Sequence, residues 1–363
     1  MGRTKGAVGK KNKKQDKVTQ ELLSKGTDIV KEFDESASVL VVPTKQVDVI
    51  GTITLDKEAL KNQQEKLAIA KKVMKDINLQ YKDPTMVKMA VDEPLKESVY
   101  FDIPDIDKFF DGGAVRGNYV IFWGGEGVGK TTLALLQIAW AQRNGLVCAY
   151  IDMEHTLEKA RMTECGVNID DLLLIEGCDN AEQAMDITIK LSTEKAVDLI
   201  IVDSIQAMSP KEEQFEGKKL NKTRSMEKNE VASLAGKMDK FLRRTSGAVY
   251  KAKIGIFLIG QVRTQGIGSF YTHDGLSGGH ALKHWSVLTV YLRKGQKDDA
   301  PYEEIEIDEK DDKGKPKKEK RYLGFNCVMK IDKTKKSKSM PELSELQIPF
   351  WFESGFFKPE EKK

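Results

Sequence analysis

Eight consecutive residues constrain this chain more than any other feature: Gly124-Gly125-Glu126-Gly127-Val128-Gly129-Lys130-Thr131. They fill the spacing G-x-x-x-x-G-K-[ST] completely. The apolar run Tyr119–Trp123 (YVIFW) enters the segment, and a run of good helix formers, Lys130–Gln142 (KTTLALLQIAWAQ), leaves it. Strand, glycine-rich turn and helix in that order make a cradle for phosphate. The glycines let successive N–H groups turn inward, and the helix N-terminus adds positive potential. Lys130 is placed to reach β and γ phosphates, and the Thr131 hydroxyl to bind Mg²⁺. The expected nucleotide-binding set is Gly124, Gly125, Glu126, Gly127, Val128, Gly129, Lys130, Thr131 and Thr132.

The rest of the pattern agrees with such a loop. Val147–Asp152, Leu172–Ile175, Leu199–Asp203 (LIIVD), Ile254–Gly260 (IGIFLIG) and Val287–Arg293 are short apolar runs without alternation. Amphipathic helices are expected over 181–194 and near 230–244. Such strands, separated by helices, mark an α/β fold: a mostly parallel sheet covered by helices on both faces. Upstream, 38–55 suggests short strands, and Asp56 opens a helix to about Leu79 with Leu67, Ala70, Met74 and Ile77 on one stripe. Residues 303–332 alternate, turn at Gly-Lys-Pro and resume a strand, which predicts a charged β-hairpin. The expected division is a basic flexible tail (1–20), an N-terminal region (21–95), a core (96–345) and a C-terminal tail (346–363).

Composition sets limits without identifying a partner. Among 363 residues the net charge is only +3, yet residues 1–18 carry seven bases against Asp16. That segment reads as a solvated tail or a nucleic-acid-binding arm. No apolar run is long enough to span a membrane. The four cysteines lie far apart with no CxxC pair, which argues against a zinc ribbon and fits a reducing compartment.

A phosphate loop needs a carboxylate for its metal. Asp203 and Asp152 both end apolar strands, where an unused charge is costly. LIIVD is the more apolar run, which favours Asp203. Its neighbour is Ser204 rather than an acid, so a base for water must come from another strand end. Glu154 is the candidate and Glu158, one turn on, the alternative.

With those residues in place, the chain resembles the RecA-type homologous recombinases, in their bacterial and phage branch, from about residue 100 to 340. The resemblance rests on GGEGVGKTTLALLQIAWAQRNG, CAYIDMEHTL, VDLIIVDSIQAMSP and IGQVRTQGIGSFYTHDGLSGGHALKHWSVLTVYLR, in that order. It implies a DNA-dependent ATPase using ATP and Mg²⁺ that forms filaments on single-stranded DNA and carries out homologous pairing and strand exchange with duplex DNA. It implies Glu154 as catalytic base, Asp203 as metal ligand with Thr131, and Gln261 as γ-phosphate sensor. The second DNA loop would be Val262–Ser277, with Arg263, Gly266, Gly268 and Phe270. The first would lie in Lys211–Arg224, with Lys218, Lys219, Lys222 and Arg224. Two lysines one residue apart would complete a neighbour's site. Lys333 and Lys335 have that spacing, and Lys330 and Lys336 leave other alignments open. Region 21–95 would hold the oligomerisation segment.

The resemblance further implies self-assembly, cooperation with a single-strand-binding protein and a loader, and a cytoplasmic, nucleoid-associated location (host cytoplasm for a viral source). The sequence departs from the family at Arg161, where an aromatic residue commonly stacks on adenine. A guanidinium can stack on a base too.

Overall fold

The non-alternating apolar runs become the middle of one sheet because both of their faces are covered. The computed structural model describes residues 38–40, 53–55, 57–93, 96–211, 233–265, 273–276, 280–310 and 316–359. The chain divides into two compact units, Met1–Pro94 and Leu95–Lys363.

In the first unit, β1 (Ser38–Leu40) pairs antiparallel with β2 (Ile53–Leu55). Helix α1 spans Lys57–Gln80. None of its described residues is buried, and Leu67, Ile69, Val73 and Leu79 are exposed.

The second unit is built on a nine-stranded sheet. Its parallel part consists of β3 (Tyr119–Gly124), β4 (Cys148–Asp152), β5 (Leu172–Ile175), β6 (Leu199–Asp203), β7 (Gly255–Gln265) and β9 (Ser286–Lys294). Strand β8 (His273–Leu276) folds back on the end of β7. Two antiparallel strands, β12 (Gly324–Thr334) and β13 (Glu345–Trp351), close the edge beyond β9. The order is β13-β12-β9-β3-β7-β6-β4-β5.

Neighbouring side chains on these strands point to opposite faces. On β3, Val120 and Phe122 enter one core, while Tyr119, Ile121 and Trp123 enter the other. The first core is covered by α2 (Pro104–Phe110) and α3 (Lys130–Arg143), through Phe110, Leu133 and Ile138. The second is covered by α5 (Ala181–Glu194) and α6 (Ser233–Ala252), through Met185, Phe241 and Leu242. Two short helices complete this unit, α4 (Lys159–Glu164) and α7 (His280–Trp285).

Two expectations need correction. The hairpin is β10 (Tyr302–Lys310) with β11 (Pro316–Tyr322), not a pair reaching residue 332. Opposite charges face each other across it, as in Glu303↔Arg321 and Glu304↔Lys320. The resumed strand, β12, belongs to the main sheet. Residues 346–359 are not a tail either: Phe350 and Phe356 are buried beside Val128 and Phe325 in the first core. Five aromatic residues in Ile348–Phe357 supply the apolar area that keeps this segment on the sheet.

Candidate functional site

Parallel pairing brings the carboxyl ends of β3, β4, β6 and β7 to one edge: Gly124 lies opposite Gln261, and Asp152 opposite Asp203. Chain reversals at such an edge leave room for a ligand. The glycine-rich turn sits there. A Cβ on Gly124 would lie 2.1 Å from the Leu292 carbonyl oxygen on β9, so only glycine fits. Gly129 takes φ +94° at the mouth of α3, over the rings of Phe350 and Phe356.

Lys130 is 8% exposed. Its Nζ donates to the carbonyls of Gly124 (3.1 Å) and Gly125 (2.5 Å). Burial pushes the amine below its usual pKa, against the opposing pull of Asp203, Glu154 and Glu126. A desolvated cation at a helix N-terminus suits phosphate oxygens.

Asp203 ends β6 and is 6% exposed. Its Oδ2 accepts from Thr131 Oγ1 and from the Tyr150 hydroxyl, both at 2.7 Å. Burial raises its carboxyl pKa, the two hydrogen bonds lower it in part, and Glu154 and Asp152 add to the rise. Asp152 is engaged differently. It accepts from the backbone N–H groups of Glu154 (3.0 Å), His155 (2.9 Å) and Leu157 (3.1 Å), shaping the turn after β4. The Thr131 hydroxyl is thus paired with Asp203 and not with Asp152.

That turn presents Glu154. Its Oε1 accepts from Gln261 Nε2 at 2.6 Å and from the Ser204 hydroxyl. The Asp203–Ser204 peptide is cis. Glu158 stands exposed at the start of α4.

Mg²⁺ fits this arrangement. Thr131 and Asp203 supply one neutral and one anionic oxygen, which a small hard ion completes with phosphate and water. Among the described residues no group of three or more His, Cys, Asp or Glu forms an all-protein cage.

Beside the loop lies a cavity of about 420 Å³, lined by 127–132, Arg161, Lys294, Phe325, Phe350 and Phe352. Arg161 donates to Thr132 Oγ1 at 2.9 Å and to Glu164 at 3.1 Å. Phe325 and Phe350 stack at 4.8 Å. These aromatic side chains were missed in the sequence because they lie some 200 residues from the loop, although the density of rings in IPFWFESGFF marks a packed segment.

The lysine run divides. Lys333 Nζ donates to the carbonyls of Lys283 and His284, and Lys335 Nζ to that of His284 at 3.4 Å, so both rest on the C-terminal end of α7. Lys336 is spent inside its own chain, on Ser98 Oγ (3.1 Å), Asp111 O (2.6 Å) and Gly112 O (3.0 Å), and burial lowers its pKa to about 8.

Of the DNA-loop candidates, Lys218, Lys219, Lys222, Arg224, Gly266, Gly268 and Phe270 lie outside the described residues. Arg263 is on β7, opposite Gly275 of β8. Among the described residues no helix is long and apolar enough to cross a membrane.

The family model of the RecA N-terminal domain matches residues 69–332, well over half of the chain. The chain belongs to this RecA family. Similar curated proteins are each named Protein RecA. That of Oceanobacillus iheyensis is 40% identical over 185 residues, 51% of this chain and 51% of that protein. Those of Pseudomonas putida and Methylobacterium radiotolerans are 38% and 36% identical, covering 50% of this chain and 49% and 48% of theirs. The chain spans about half the length of the curated relatives it matches. The RecA resemblance seen in the four sequence blocks and the α/β sheet expected from the strand pattern are both met.

Proposed function

We propose that this RecA-family chain is a DNA-dependent ATPase that assembles on single-stranded DNA and promotes homologous pairing and strand exchange. The observation that carries the reading is the Glu154–Gln261 hydrogen bond. It joins a carboxylate at the phosphate edge to the residue from which the 262–277 segment departs.

In this reading the N–H groups of 125–131 and the Lys130 amine hold the phosphates. Thr131 and Asp203 would hold Mg²⁺, which would offset the negative charge of the phosphates. Glu154 orients a water toward the γ phosphorus. As the water's oxygen bonds to phosphorus, the bond to the β-bridging oxygen breaks, and Glu154 accepts the water's proton. The adenine ring would occupy the cavity lined by Arg161, Phe325, Phe350 and Phe352. Gln261 shares its amide between Glu154 and the phosphate, so the root of the DNA loop feels which is present. Lys333 and Lys335, held at the surface on α7, serve a neighbouring protomer's phosphates in the manner of an arginine finger.

The test combines ATP hydrolysis with and without single-stranded DNA, electron microscopy of the assemblies, and joint-molecule formation. The reading expects DNA-stimulated turnover, helical filaments and paired products. Closed rings would indicate a helicase or translocase instead, and DNA coating without pairing would indicate a loading factor.

A further inference from the structure

Strands β6 and β7 run in parallel register from Leu199↔Gly255 to Val202↔Leu258, and the pairing stops there. Beyond it the chain leaves β6 at Asp203 and enters a single 3₁₀ turn, Ile205–Ala207. Strand β7 continues, so on its β6 side the backbone of Gln261 has no strand partner. A buried or half-buried peptide group in that position needs one. Gln206 supplies it. Its Oε1 accepts the Gln261 N–H at 2.6 Å, and its Nε2 donates to the Gln261 carbonyl at 3.2 Å. One side-chain amide thus replaces both bonds of a missing strand residue.

We infer that Gln206 is a positioning residue: it holds the Gln261 backbone so that its side-chain amide meets Glu154, and it links the strand end bearing Asp203 to the segment that begins at Val262. The inference rests on the reading of Gln261 as a phosphate sensor. Three covalent steps separate Asp203 from Gln206 along the chain, and Ser204 between them also donates to Glu154. A displacement at the metal carboxylate therefore reaches Gln261 by two routes, through Ser204 and Glu154 to its side chain, and through Gln206 to its backbone. Gln206 is half-buried and touches no phosphate-loop residue through a hydrogen bond, so its contribution is to coupling rather than to nucleotide affinity.

Gln206→Met preserves length and volume and removes both hydrogen bonds. Gln206→Glu keeps the acceptor for the Gln261 N–H and loses the donor. Each is measured for ADP affinity, melting temperature, and kcat and KM of ATP hydrolysis with and without single-stranded DNA, beside Gln261→Ala. For Gln206→Met the expected result is a DNA-stimulated kcat lowered about tenfold, with KM for ATP and ADP affinity within about twofold of the parent. Gln206→Glu, whose carboxylate would face the Gln261 carbonyl in place of a donor, is expected to lower the DNA-stimulated kcat at least as far. The inference is overturned if Gln206→Met keeps the full DNA-stimulated kcat while Gln261→Ala loses it. It is also overturned if kcat, ADP affinity and melting temperature all fall together, since that is a packing role. Should Gln261→Ala itself keep its DNA stimulation, the sensor reading fails, and the role of Gln206 fails with it.

Discussion

Gln261 Nε2 donates to Glu154 Oε1 over 2.6 Å, joining β7 to the turn that follows β4, two strands separated in the sheet by β6. An amide oxygen can accept the same bond. Glu154→Gln therefore preserves the contacts to Gln261 and Ser204 while removing the carboxylate proposed to take the water's proton. The expected outcome is ATP and DNA binding within a few-fold of the parent, and hydrolysis reduced by about 10²–10⁴. Single-turnover hydrolysis, with nucleotide affinity measured separately, checks it. Full turnover in this variant would remove Glu154 from the base role.

Asp203 gives a prediction with a defined pH sign. Burial raises its carboxyl above the ordinary 3.8, which means the folded chain holds that proton more tightly than the unfolded chain does. Ionisation at this site then costs stability: the cost is absent below the ordinary carboxylate range and complete above the raised folded value. Asp203→Asn removes the cost and still accepts from Tyr150 and Thr131. Its melting temperature is expected to exceed the parent's by about 1–3 °C near neutral pH, with the gap closing as the pH falls into the carboxylate range. Mg²⁺-dependent nucleotide binding falls at least about tenfold in the same variant. Calorimetry across pH and a nucleotide titration with and without Mg²⁺ measure the two effects. A variant less stable than its parent at neutral pH would contradict the argument.

What could be read from the sequence was local. The segment 124–131 announces itself because its pattern consists of backbone turns and of a lysine and threonine fixed by neighbours in the chain. Asp203 and Glu154 are legible as carboxylates leaving apolar strands. The separate duty of Asp152 was not, because capping a turn with three N–H groups leaves no pattern beyond an acid at a strand end. Gln206 was invisible for a different reason. Its value comes from where β6 stops pairing with β7, a property of register rather than of residue type. The aromatic run 348–357 falls within the expected tail 346–363, since nothing local says which surface it covers. Its partners, Gly129 and Phe325, come together only once β13 joins the sheet.

Two adjacent glycines should respond very unequally to one added methyl group. At Gly124 the new Cβ would fall 2.1 Å from the Leu292 carbonyl oxygen, on the strand paired with it. No rotamer change relieves a clash with backbone. At Gly125 the nearest atom is Val128 Cγ1 at 4.0 Å. Gly124→Ala is expected to destabilise the unit by about 3 kcal/mol or more, and Gly125→Ala by less than about 1 kcal/mol. Urea unfolding midpoints at constant m-value decide it. Equal midpoints for the two variants would show that β3 and β9 are not packed as described.

Lys333 and Lys335 allow a mixing test of the proposed shared site. Lys333 and Lys335 rest on the carbonyls of Lys283 and His284, whereas Lys336 is half-buried and bonded to Ser98, Asp111 and Gly112. A Lys333→Ala/Lys335→Ala double variant keeps its own phosphate loop intact, and Lys130→Ala keeps the lysine pair. Each alone is expected to lack DNA-stimulated hydrolysis. In an equimolar mixture, head-to-tail assembly places an intact loop against an intact lysine pair at about one site in four. Recovery that peaks at about a quarter of the parental rate in the equimolar mixture, and falls as either variant comes into excess, is the expected result. A mixture that stays inactive while still co-assembling would mean that the lysines act within their own chain. Lys336→Ala separates the remaining possibility: it should lower the melting temperature, because it leaves three part-buried acceptors without this donor, and leave the mixing behaviour of the other two lysines intact.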